Sequence, residues 1–316
     1  MLTEPVRYDG PKFAATNGVT LCYDTFGSPE DAPLVLIMGL ATQMIVWDED
    51  FCRLLAACGR YVIRFDNRDI GCSTKLWEPK PPNIADILIT GFAGSKLRVR
   101  YTLLDMAKDT LGLLDALGIA SAHVVGISMG GAIGQEIAIA FPARLRTLTS
   151  IMSSTGDPKL PPPTLAALAV LFARPAPNRE SYLRQYVKTW KTLTGKQFPF
   201  DPERTRSQGE RAYERGINPA GAARQMLAII ASGNRREALR RITAPTLVIH
   251  GTNDPLVRYA AAPDLAAAIP GAKLLRIEGM GHTLPRGAWP RIVDAIAAHT
   301  TEPPLSSCRT GAGTGC

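Results

Sequence analysis

The chain has 316 residues, six cysteines and a formal net charge of +8, with 46% hydrophobic and 20% charged residues. That length suits one α/β domain with an inserted cap. No apolar stretch reaches the roughly 18 residues of a membrane span, and Met1-Leu2-Thr3-Glu4-Pro5-Val6-Arg7 lacks the apolar core of a secretory signal, so a cytoplasmic location is expected.

In chain order, Lys12–Thr16 and Val19–Phe26 read as an opening antiparallel hairpin turning at Asn17-Gly18. Leu34–Ile37 is an all-apolar run suited to a central strand, and Tyr61–Phe65 is a further strand. Residues 75–100 form an insertion with Pro79, Pro81, Pro82 and the apolar Ile84–Ile89, expected to wall a pocket. Strands at Ala122–Val125 and Leu145–Ile151 flank a helical pattern over Gly131–Phe141. Residues 153–241 then show helical periodicity without a strand and are bracketed by Pro161-Pro162-Pro163 and Pro245. A strand at Thr246–Ile249, a helix over about 258–269, a strand at Lys273–Ile277 and a final helix complete the pattern. Strands alternating with helices from Leu34 onward predict a doubly wound, mostly parallel sheet. The expected organisation is an α/β core in two parts (1–152 and 242–300), a helical cap (153–241) and a disordered tail (301–316).

Between a strand and a helix stands Gly126-Ile127-Ser128-Met129-Gly130. A serine on such a turn, with glycine two before and two after, is a nucleophile elbow. Serine needs a base, and the base an orienting acid. Of four histidines, His123 begins the strand feeding the elbow and belongs at the far end of the sheet, and His299 lies beside the tail. His250 ends a strand and suits a satisfied polar role. His282, in the glycine-bearing loop Gly279-Met280-Gly281-His282-Thr283-Leu284-Pro285, is the preferred base. Asp254, in Gly251-Thr252-Asn253-Asp254-Pro255 at a strand's carboxyl end, is the matching acid, although Asn-Asp-Pro is also an ordinary turn signal. One right-handed crossover separates Asp254 from His282 and brings both to one sheet edge. The amides of Leu40, after Met38-Gly39, and Met129, after the serine, are the expected oxyanion donors. Gly39, Leu256 and Leu284 are the expected substrate contacts.

Four stretches carry a family resemblance: Ile37-Met38-Gly39-Leu40, Arg64-Phe65-Asp66-Asn67-Arg68-Asp69-Ile70-Gly71-Cys72-Ser73, Gly126-Ile127-Ser128-Met129-Gly130-Gly131 and Gly279–Pro285. With them the chain resembles α/β-hydrolase-fold serine esterases and lipases, specifically actinobacterial esterases of the mycobacterial lipase type and aclacinomycin methylesterases. The resemblance covers roughly residues 15–299 and implies an α/β-hydrolase fold. By it Ser128, Asp254 and His282 take the nucleophile, acid and base places, and Leu40 and Met129 the oxyanion places. It also implies that Asp66–Ser73 is structural, its charges pairing among themselves. Many relatives carry histidine-glycine at the oxyanion loop; here Met38 precedes Gly39, as in the closer subgroup. The expected reaction is cleavage of a small-molecule carboxylic ester through an acyl-enzyme, with no metal or organic cofactor. Thioesterase and perhydrolase chemistry on the same triad, or a ligand receptor of the same fold, remain alternatives.

The cysteines (Cys22, Cys52, Cys58, Cys72, Cys308, Cys316) have no zinc-ligand spacing and are expected to be mostly reduced, with Cys72 a buried small hydrophobe. The charge is uneven: residues 157–241 hold 16 Lys plus Arg and 7 Asp plus Glu, a balance of +9, which leaves −1 for the rest. A solvated helical face is the plain explanation. Attraction of an anionic substrate, or weak contact with an anionic lipid surface, is the functional one. Interleaved acids and the lack of a recognition motif disfavour nucleic acid. The sequence leaves oligomeric state open.

Overall fold

The computed structural model describes residues 6–78 and 99–301. The tail expected to be disordered, beyond Thr301, and most of the insertion expected at 75–100 lie outside the described residues.

Strands β1 (Tyr8–Thr16) and β2 (Val19–Phe26) form the expected hairpin. Its two-residue turn has Asn17 at φ 38° and Gly18 at φ 77°, the left-handed pair that matches strand twist. β1 starts earlier than expected, because it continues past Gly10-Pro11 through a register irregularity between Asp9 and Lys12. Then follow β3 (Ala32–Ile37), α1 (Glu49–Ala57), β4 (Arg60–Phe65), α2 (Leu103–Ala116), β5 (Ala122–Ile127), α3 (Met129–Ala140) and β6 (Leu145–Ile151). Five helices come next: α4 (Leu165–Leu171), α5 (Arg179–Thr194), α6 (Pro202–Glu214), α7 (Pro219–Ser232) and α8 (Arg236–Leu239). The chain returns to the sheet in β7 (Thr246–Gly251), α9 (Ala261–Ala268), β8 (Lys273–Ile277) and α10 (Trp289–His299).

Among the described residues the sheet has eight strands in the order β1-β2-β4-β3-β5-β6-β7-β8. β2 pairs antiparallel with both β1 and β4, and every neighbouring pair from β4 to β8 is parallel. The α/β-hydrolase fold expected from the sequence is therefore present, a mostly parallel sheet with a helical insert between β6 and β7. No helix among the described residues is long and apolar enough to cross a membrane.

The apolar run in β3 has a simple cause: both faces of the sheet are covered. Val35 and Ile37 join one core with Met106, Leu113, Ile133 and Leu265, under α2, α3 and α9. Leu34 and Leu36 join the other with Phe51, Leu55, Trp289 and Ile292, under α1 and α10. Of the described cysteines, all free, Cys22 and Cys52 are buried. Cys72 is exposed, not buried as expected, because its tight loop turns the thiol outward against the Arg215 carbonyl.

His123 lies at the start of β5, 2% exposed, with Nδ1 3.0 Å from Thr147 Oγ1 and Nε2 unpartnered. Burial, reinforced by Arg146 and Arg60, pulls its pKa down to about 4. A histidine depressed in the fold binds its proton more readily in the unfolded chain. Its neutral form therefore costs nothing above pH ~6.5, and stability is lost as pH falls from there to about 4, by up to about 3 kcal/mol. His123→Gln is expected to flatten the fall in denaturation midpoint across that window; an unchanged slope would place the acid sensitivity elsewhere.

Candidate active site

Ser128 is the residue between β5 and α3, with φ 54° and ψ −116°. No side chain adopts that conformation without strain, which here turns the hydroxyl out of the sheet. The turn is possible because a Cβ on Gly126 would fall 2.1 Å from the carbonyl oxygen of Gly130, a space only glycine leaves. Ser128 N–H donates to the Ile151 carbonyl at 2.8 Å, tying the elbow to β6. Its hydroxyl has no hydrogen-bond partner among the described residues and faces a cavity of about 730 Å³.

Asp254 and His282 meet as the crossover requires. His282 Nδ1 lies 2.7 Å from Asp254 Oδ2, and both side chains are buried. Asp254 Oδ1 accepts the amides of Leu256 and Val257 at 2.8 Å each. Burial pushes this carboxyl up, but His282 beside it and the hydrogen bonds from His250 and His282 prevail and hold it at about 2. It is ionised at neutral pH and accepts from Nδ1, which leaves Nε2 of His282 as the ring nitrogen without a hydrogen-bond partner among the described residues. His282 borders the same cavity as Ser128.

His250 is not remote from this group. Its Nε2 lies 2.8 Å from the Val257 carbonyl and 3.4 Å from Asp254 Oδ2. Both neighbours accept, so Nε2 carries the proton and His250 pins the acid turn from inside β7. It does not border the cavity.

Leu40 and Met129 also border the cavity, and a Cβ on Gly39 would stand 3.3 Å from Ser128 Cβ. The Met129 amide opens α3, where a helix has no partner of its own to offer. Of the expected substrate contacts, Gly39 and Leu256 border the cavity. Leu284 does not: it packs on the core cluster under α10, its carbonyl accepting from Trp289 Nε1 at 2.9 Å. The loop turns away after Thr283, which still borders the cavity, so Leu284, two residues past His282, packs on the core instead.

The helical insert roofs the cavity and also holds His282. The amides of Gly281 and His282 donate to the carbonyls of Thr194 and Leu193 at the end of α5, at 3.0 and 2.6 Å. A Cβ on Gly281 would fall 2.1 Å from the Leu193 oxygen, so glycine permits this approach. Tyr182, Tyr186 and Trp190, spaced one turn apart on α5, line the cavity as an aromatic column, with ring centroids 5.8 and 5.9 Å apart. The sequence spacing carried that signal, unread because aromatic stripes on helices are ordinarily core. Met226, Ile229 and Ile230 of α7 add apolar wall.

The charges of Asp66–Ser73 do not pair among themselves, contrary to expectation. Arg68 binds Asp109 of α2 at 2.5 Å, Asp66 binds Arg215, and Asp69 holds Arg224 of α7 through bonds of 2.7 and 2.8 Å. In a tight loop neighbouring side chains diverge, so each reaches a different element. Three basic residues of α6 and its end, Arg204, Arg211 and Arg215, reach Asp48, Glu49 and Asp66 of the core, while Arg206 pairs with Glu180 on α5. Much of the insert's positive excess thus faces acids.

Residues 32–285 match the family described as the alpha/beta hydrolase fold. The rhodomycin D methylesterase DauP of Streptomyces sp. strain C5 is 34% identical over 308 residues, covering 89% of this chain and 95% of that one. The rhodomycin D methylesterase DnrP of Streptomyces peucetius is 32% identical, with the same coverage. Among solved structures, 2-hydroxy-6-oxo-6-phenylhexa-2,4-dienoate hydrolase from Rhodococcus sp. strain RHA1 superposes with a TM-score of 0.71 at 20% identity, covering 93% of this chain and 99% of that one. The chain belongs to the α/β-hydrolase family and is a carboxylic ester hydrolase.

Asp69 is buried with Arg224, Tyr101 Oη and the Leu76 amide, so Asp69→Asn would take the two-bond partner from a buried guanidinium and leave it only Glu78, at 2.9 Å. A loss of about 3 kcal/mol is expected in chemical denaturation. A loss below 1 kcal/mol would mean that the core–insert pair is dispensable.

Proposed function

We propose that this α/β hydrolase cleaves the methyl ester of a bulky, ring-bearing carboxylic acid through an acyl-enzyme formed on Ser128. The observation that carries the reading is the group of Ser128, the Asp254–His282 pair and the Leu40 and Met129 amides around one cavity. Nε2 of His282 takes the Ser128 proton as Oγ attacks the ester carbonyl. Asp254, held ionised, fixes the tautomer and stabilises the imidazolium. The two amides receive the oxyanion, the tetrahedral intermediate collapses, and His282 returns the proton to the departing alkoxide. Water then attacks the acyl-enzyme by the same route.

The substrate class rests on shape. A cavity of about 730 Å³, lined by the aromatic column of α5 and the aliphatic side chains of α7, suits an acid with flat apolar rings rather than a short acyl chain. The methylesterase relatives support a small alcohol leaving group.

Ser128→Ala and His282→Ala are expected to lower kcat by about 10⁴–10⁶-fold, and Asp254→Asn by roughly 10⁴-fold, with circular dichroism unchanged. A fluorophosphonate should label once, at Ser128. His250→Ala should retain far more activity than His282→Ala; the reverse ranking would move the base to His250. On a panel of methyl esters, kcat/KM should rise from acetate to polycyclic aromatic acids. Thioester turnover exceeding that of the matched ester would favour the thioesterase alternative.

A further inference from the structure

Outside the catalytic group, one cluster of reactive side chains is unaccounted for. The sulfurs of Cys22 and Cys72 and a carboxylate oxygen of Asp66 lie within 4.8 Å of one another. Cys22 is on β2, wholly buried, and Cys72 is exposed on the loop after β4. The two segments are already laced together: Cys22 N–H donates to Ser73 Oγ at 2.9 Å, Asp66 N–H to the Cys22 carbonyl at 2.9 Å, and Cys72 N–H to Asp66 Oδ2 at 2.9 Å. Arg215 of the insert stands over them, bonded to Asp66, with Nη2 3.9 Å from Cys22 Sγ and its carbonyl 3.8 Å from Cys72 Sγ.

Two thiols and a carboxylate would ordinarily suggest a soft divalent metal. Here the Arg215 guanidinium already supplies the positive charge beside Asp66 and Cys22, and a second cation would have to displace it. The same guanidinium offsets part of the burial that disfavours a thiolate at Cys22. Bringing the sulfurs to a bonded separation of about 2.05 Å requires a closure of under about 3 Å.

We propose that Cys22 and Cys72 are an oxidation site, closing to a disulfide that locks the 66–73 loop to β2. The oxidant class is a low-molecular-weight disulfide. The Cys72 thiolate attacks one sulfur of the oxidant, forming a mixed disulfide and releasing one thiolate. Cys22 then attacks Cys72 Sγ and expels the second thiolate, which takes up the Cys22 proton. Two protein thiols lose two electrons and two protons, and the oxidant becomes two thiols. Cys72 acts first because it is exposed. Burial, with Asp66 alongside, pushes Cys22 up to about 12, so the second step is the slow one and quickens as pH rises. The locked loop carries Ile70 and Gly71 of the cavity wall and Asp69, which holds Arg224 of the insert.

The test incubates the purified full chain with oxidised glutathione, alkylates the remaining thiols and maps peptides by mass. A Cys22–Cys72 linked peptide is expected, forming faster at pH 9 than at pH 7, with a thermal midpoint raised by several degrees and restored by dithiothreitol. Cys22→Ser should stop at a glutathione adduct on Cys72, and Cys72→Ser should leave Cys22 unmodified. Links joining either residue to Cys52, Cys58, Cys308 or Cys316 instead, or a Cys72 adduct that persists in wild type with Cys22 still reduced, would overturn the proposal.

Discussion

The rest of the molecule is arranged around the strained backbone of Ser128. A non-glycine residue at φ 54° and ψ −116° costs about 1–3 kcal/mol and persists only where its surroundings over-determine it. Here they do. β5 is buried along its whole length, α3 is packed on the sheet, and Gly126 stands against the carbonyl of Gly130 so that strand and helix cannot drift apart. What the strain produces is direction: a hydroxyl projecting at the carboxyl edge of a parallel sheet, beside the first free amide of a helix. β3 ends beside it and delivers Gly39 and Leu40. β7 and β8 end two and three places along the sheet from β5 and deliver Asp254 and His282.

The insert does more than cover the cavity. Leu193 and Thr194, at the end of α5, hold the backbone of Gly281 and His282, so the position of the proposed base is shared between core and insert. The buried pair Asp69–Arg224 and the half-covered pair Asp66–Arg215 set the register of the insert on the core. Such pairs add little net stability against their desolvation, but breaking one is costly, which suits a device for fixing placement. It also accounts for part of the uneven charge of the chain. Four of the insert's arginines, Arg204, Arg211, Arg215 and Arg224, have core carboxylates as partners, in the loop after β4 and at the start of α1.

The parts legible in the sequence were those whose cause is local. Strand–helix alternation follows from burial of both sheet faces, and the turn at Asn17-Gly18 from two residues that tolerate positive φ. The elbow was readable because Gly126 is required by its contact with Gly130 inside the same five residues, although Gly130 itself is required by the approach of Ile37 from β3. The pairing of Asp254 with His282 was readable because a single crossover separates them. Other features depend on partners far along the chain. Asp66 and Asp69 find arginines 149 and 155 positions away, and nothing in their loop announces it. Leu284 stands two residues past His282, yet its side chain packs on the core under α10. The exposure of Cys72 likewise depends on how a tight loop meets Arg215, a contact made across 143 positions.

The central claim is that Ser128 and the amides of Leu40 and Met129 act on one carbonyl. It is tested most directly by a crystal structure of the protein inactivated with a methyl phosphonofluoridate, a tetrahedral mimic of the attacked ester. The account predicts phosphorus bonded to Ser128 Oγ and the phosphoryl oxygen about 2.7–3.1 Å from both amide nitrogens. A phosphoryl oxygen turned away from Leu40 and Met129, or an adduct on any other residue, would contradict it.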